Sequence, residues 1–166
     1  MRESRFHNRR AVSIENDQVR VTVLVEGGHV AEICDKQSGV NPLWIPHWPS
    51  IEPSVYDPAG DSVYGADSES KLLAGIMGHN LCLDIFGVPS EAEAAAGLTV
   101  HGEGSVVPYR IEVSGHEMAA RAELPMAGLR FERRLRLEGR RLRFLETVEN
   151  LSACDRPIGW TQHVTL

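Results

Sequence analysis

Valines recur at every second position through Val19, Val21, Val23 and Val25, with Arg20, Thr22 and Leu24 between them. Successive side chains of an extended strand point to opposite faces, so this spacing predicts a strand with one apolar face. Similar short stretches flank it, and residues 12–16, 19–26 and 29–35 are predicted as three strands. Asn16-Asp17 and Gly27-Gly28 supply the turn chemistry between them. The last third returns to the same pattern over 106–114, 118–124, 129–138 and 141–150, with Glu138-Gly139 as a hairpin turn. Leu129, Phe131, Leu135 and Leu137 share one parity, and Arg130, Glu132, Arg134 and Arg136 the other. That alternation describes a half-solvated sheet, and Arg133 interrupts its apolar face.

The middle of the chain lacks this period. Residues 40–70 are rich in proline, glycine and aromatics, including Asn41-Pro42-Leu43-Trp44, as expected of a long ordered loop of the sort that lines sites. Residues 90–96, with Glu91 and Glu93 ahead of three alanines, suit a short helical turn. The fold class expected is mainly β, an antiparallel β-sandwich of two packed sheets. At 166 residues the chain has the length of one domain or a portion of one, spanning 1–166.

Charge narrows the partners. Lys and Arg total 17 against 23 Asp and Glu, a net charge of -6, which argues against nucleic acid and leaves small neutral ligands open. The arginines of 130–143 are interleaved with Glu132 and Glu138 and describe an ion-laced sheet face. Cys34, Cys82 and Cys154 are odd in number and widely spaced, as in a reduced cytoplasmic protein. The basic amino end is followed by no apolar run, and nowhere do 18 apolar residues stand together, so no membrane partner is expected. Phosphate-cradling and nucleophile-elbow motifs are missing, and no cofactor is expected.

Histidines carry the candidate chemistry. An imidazole titrates near neutral pH and can donate one hydrogen bond while accepting another, which suits sugar hydroxyls and proton transfer. His101-Gly102-Glu103-Gly104 follows an apolar stretch and places His101 at an expected strand end, either to meet a ligand or to hold a turn. His163 stands where a strand is expected to begin. Trp160 offers it a stacking surface for a sugar ring, with Gln162, Asn150 and Asp155 as nearby polar groups; a buried structural histidine is the competing account. His79, Asn80 and Asp84 lie in an apolar, strand-like segment. His79, His101 and His163 do not have metal-ligand spacing, and no metal is expected.

In their order along the chain, these residues resemble the galactose mutarotase-like proteins, the aldose 1-epimerase superfamily. The resemblance rests on Asn16-Asp17 before the valine strand, 27–33, 41–44, His101-Gly102, and Glu149-Asn150-Leu151 leading to His163. It covers most of this chain and corresponds to the amino-terminal and central part of the family's supersandwich. It implies that His163 is the general acid at the sugar ring oxygen and that His101 orients the sugar; Trp160, Asn80, His79 and Gln162 are the substrate-binding candidates that the residues themselves offer. Opening a cyclic hemiacetal requires proton donation to the ring oxygen and removal of the anomeric hydroxyl proton. The family's base is a carboxylate beyond position 166. The chain departs from the family at His79-Asn80, where an Asn-Arg pair is usual, and at Val164-Thr165-Leu166, where aromatics are usual. The expected partner is a small-molecule carbohydrate. A non-catalytic carbohydrate-binding sandwich is the alternative, and a homo-oligomer is left open if the chain is complete.

Overall fold

The computed structural model describes residues 4–166. Ten strands form two antiparallel sheets. One sheet orders β1 (Ser4–Phe6), β2 (Arg9–Glu15), β3 (Val19–Leu24), β4 (Val30–Asp35), β5 (His79–Asp84) and β10 (Gly159–Val164); the other orders β6 (Arg110–Ser114), β7 (Glu117–Leu124), β8 (Leu129–Glu138) and β9 (Arg141–Asn150). The expected meander is present, with Val21 opposite Ile14 and Ile33. Residues 151–158 carry the chain from β9 in one sheet to β10 in the other.

Three sequence expectations change. The strand expected over 106–114 starts only at Arg110, because the preceding residues bond elsewhere: Gly27 donates to Val107 and Tyr109 donates to Val25. His101 lies in a turn rather than at a strand end, and His163 is the penultimate residue of β10 rather than near its start. The long loop carries two 3-10 turns, Pro53–Val55 and Ser62–Tyr64, and runs into α1 (Ser70–Gly75). The short turn expected near 90–96 is α2 (Glu91–Ala95), started by a reciprocal capping box between Ser90 and Glu93. No helix among the described residues is long and apolar enough to cross a membrane.

The sheets share one apolar core. Val21, Val23, Leu81 and Leu83 from the larger sheet pack with Met118, Leu129, Phe131 and Leu135 from the smaller. Each such side chain contributes about 1.5–3 kcal/mol on burial. Two arginines are also buried, each with its charge partnered. Arg133 bonds Glu146 at 2.7 Å and the Gly28 carbonyl at 3.1 Å, joining the sheets through the core. Arg9 bonds Glu52 at 2.9 Å and the carbonyls of Glu26 at 2.9 Å and Gly75 at 2.5 Å, fastening the long loop to β2. A buried guanidinium without such partners would be strongly destabilising.

Candidate functional site

The pairing of β5 with β10 decides what can meet. His163 lies opposite Asn80, Thr161 opposite Cys82 and Gly159 opposite Asp84, so these six residues share one face. Val164 with His79, Gln162 with Leu81, and Trp160 with Leu83 share the other. Since Leu81 and Leu83 belong to the inter-sheet core, the Trp160 face points inward and the His163 face outward.

Trp160 therefore cannot form a wall beside His163. Three positions separate them, an odd step that sends their side chains to opposite faces of a strand. Trp160 instead stands edge-on to Phe131 at 6.4 Å and is 42 % exposed at the open flank of the sandwich. His79 and Gln162 are likewise on the inner face. His79 Nε2 meets Gln162 Oε1 at 2.6 Å, the same oxygen accepts from Arg133 at 3.2 Å, and the Gln162 amide nitrogen donates to Glu146. Burial foremost, and then the charge of Arg133, pushes His79 down to about 4. Asn80 shares the face of His163 but is 0 % exposed and donates to Ser105 Oγ at 3.3 Å, so it lies beneath the site. These four residues do not join His163 in one ligand-facing surface.

His101 does reach His163. Its turn has φ 67° and continues into Gly102 at φ 85°, where a Cβ would stand 2.2 Å from the Leu83 carbonyl oxygen. Only glycine lets this turn approach β5 so closely. His101 N–H donates to the Gly87 carbonyl at 3.0 Å, and Gly87 N–H donates back to His101 Nδ1 at 3.0 Å. Phe86 lies over the ring at 4.8 Å and 31°. The ring of His163 stands edge-on to it, 5.9 Å away at 80°. Burial first, and next the neighbouring His163, holds His101 below the ordinary histidine range. Neutral His101 with an accepting Nδ1 carries its proton on Nε2 and presents a hydrogen-bond donor.

Cys82 adjoins the pair, one ligating-type atom from each of Cys82, His101 and His163 lying within 4.8 Å of the others. Burial pushes the thiol up to about 11. Metal coordination needs a thiolate and free imidazole lone pairs, whereas the Gly87 amide occupies the Nδ1 lone pair of His101. As held here, the group suits hydroxyl recognition better than coordination. Three carboxylates of the fold, Glu103, Asp84 and Glu32, are engaged elsewhere. Glu103 accepts from the Ala127 amide at 3.0 Å and is raised by burial, Asp84 pairs with Arg156, and Glu32 is held by Arg20 at 2.7 Å and Thr22 at 2.6 Å. Sequence reasoning passed over Cys82, Phe86, Gly87 and Ser105. Strand parity signals Cys82 once β5 and β10 are paired; the others have no local signature.

Two solved structures share this arrangement of sheets. A galactose mutarotase-like protein from Lactobacillus casei superposes with a TM-score of 0.55 at 12 % identity, over 84 % of this chain and 44 % of that one. The mutarotase candidate YeaD from Salmonella typhimurium gives 0.53 at 12 % identity, over 81 % of this chain and 42 % of that one. The fold is that of the galactose mutarotase-like proteins. The mutarotase-like sandwich is thus matched in part, the chain spanning less than half the length of either structure. No protein-family model matches the sequence, and no curated protein matches it.

Proposed function

We propose that this chain is the histidine-bearing portion of an aldose 1-epimerase-like protein that interconverts sugar anomers. One observation carries the proposal: His101 and His163, 62 positions apart, meet at 5.9 Å on the outward face of a mutarotase-like sheet. Nδ1 of His163 is enclosed, leaving Nε2 as the nitrogen a ligand can reach. Protonated there, His163 gives its proton to the sugar ring oxygen as the ring opens and recovers it on closure. The Nε2–H of His101 holds a second sugar oxygen. The anomeric hydroxyl proton goes to a carboxylate from outside these 166 residues, in keeping with the engagement of Glu103, Asp84 and Glu32 within the fold.

Polarimetry with freshly dissolved aldoses tests this. In a form of the protein that includes the base, His163→Asn is expected to lower turnover about 10²–10⁴-fold, since asparagine cannot carry the proton. Unchanged turnover would remove the acid role. The second account is sugar binding without turnover, favoured for the 166-residue chain by the engagement of its nearby carboxylates. Saturable sugar binding by that form of the protein with no acceleration of anomer exchange would establish that account instead.

A further inference from the structure

Two buried polar atoms among the described side chains lack a hydrogen-bond partner, Asn80 Oδ1 and His163 Nδ1. They belong to residues directly opposed across β5 and β10, on one face of the sheet. At such positions Cβ atoms stand about 4.5–5.5 Å apart, a gap that an amide oxygen and an imidazole nitrogen can close by small side-chain rotations. Leaving an acceptor and a potential donor buried and unpaired is costly when each can satisfy the other.

The direction of the Asn80 amide is set by its other contacts. Ser105 has one hydroxyl proton, which goes to the Leu81 carbonyl at 2.5 Å. Its oxygen can then only accept from Asn80, so the amide nitrogen points at Ser105 and Oδ1 points away. Ser105 is itself anchored. Buried His29 accepts from the Met77 amide on Nδ1 at 3.3 Å and therefore donates from Nε2 to the Ser105 carbonyl at 3.0 Å. A chain of bonds from His29 through Ser105 thus fixes an acceptor, not a donor, next to His163 Nδ1.

We infer that Asn80 is a positioning residue that holds neutral His163 as its Nδ1–H tautomer. His101 is held oppositely, because Gly87 N–H occupies its Nδ1 and places the proton on Nε2. The two rings then offer complementary atoms: Nε2 of His163 accepts or returns a proton, while Nε2 of His101 donates. As a catalytic arrangement this rests on the epimerase proposal; as a tautomer assignment it does not.

Long-range proton–nitrogen NMR of the chain labelled with 15N-histidine reads the tautomers directly. The expected spectrum has the proton of His163 on Nδ1 and that of His101 on Nε2. Asn80→Ala is expected to raise the Nε2–H population of His163 at least tenfold with His101 unchanged. Asn80→Asp keeps an acceptor in place and is expected to restore Nδ1–H. Ser105→Ala frees the amide to turn and is expected to leave a mixture at His163, which decides the matter if Asn80→Ala does not fold. Nε2–H at His163 in the unaltered chain, or Nδ1–H persisting in folded Asn80→Ala, overturns the inference. Polarimetry separates the two ideas. The expected tautomers in a longer protein without epimerase activity sink the enzyme proposal alone, and activity with the opposite tautomer sinks the role of Asn80 alone.

Discussion

Gln162 and His163 are adjacent in β10 and opposite in circumstance. Gln162 lies on the Leu81 side of the strand at the exposed flank and bonds His79, Arg133 and Glu146, whereas His163 lies on the Cys82 side, half-buried, its Nδ1 enclosed opposite Asn80, its ring edge-on to His101 and its Nε2 free. The inner network uses charge to hold two sheets together, and satisfied bonds leave it nothing to offer a ligand. The outer face keeps bonding capacity in reserve. A polar group that serves architecture is recognised by completed bonds, and one available for chemistry by the bonds it still lacks.

The largest effect that can break this comparison lies on the inner face. Arg133→Ala removes the buried counter-charge of Glu146 and is expected to lower the free energy of unfolding by about 3–5 kcal/mol, measured by urea denaturation. The same measurement on His163→Asn is expected to move stability by less than about 1 kcal/mol. Comparable losses at both positions would erase the distinction.

Acid sharpens it next. His79 is pushed down to about 4 and His29 to about 3, both chiefly by burial, from an unfolded value near 6.5. Between those values the unfolded chain binds more protons than the folded one, so stability falls as pH falls below 6.5. The loss ends near 4 for His79 and near 3 for His29, where the folded forms protonate too. From pH 6.5 to 5.5 the two together are expected to cost about 2 kcal/mol. His79→Gln should remove roughly half of that slope; a slope unaffected by the substitution would take His79 out of the inner network.

The smallest effect tests the assignment of faces. Trp160→Ala loses an edge-on contact with Phe131 at an exposed flank and is expected to cost about 1 kcal/mol, and under the proposed sugar site it is expected to leave sugar affinity unchanged. A tenfold loss of sugar affinity, read by calorimetric titration, would return Trp160 to the site.

Much of the fold is legible in the chain because its period is local. The valines of β3 and the alternating apolar and charged residues of β8 need only their own sequence to declare strands with two unlike faces, and Glu91 and Glu93 ahead of three alanines mark the short helix. His101 and His163 stand out by residue type and by their order in a family resemblance. Closeness in sequence does not give Trp160 and His163 a shared face, because in a strand a step of three residues reverses direction. Glu103, adjacent to the imidazole in sequence, spends its carboxylate on the Ala127 amide.

The sequence by itself determined which segments extend, which faces are apolar and which side chains can move a proton, since these follow from period and chemical type. Only the tertiary structure decided that β10 leaves its neighbour β9 to pair with β5, in a register that sets His163 over Asn80. It also decided that a turn sharpened at Gly102 brings His101 to the same face. The physical reason is that register and sheet partner are chosen by the whole core at once, through burial summed over both sheets, and no short stretch of chain carries that sum.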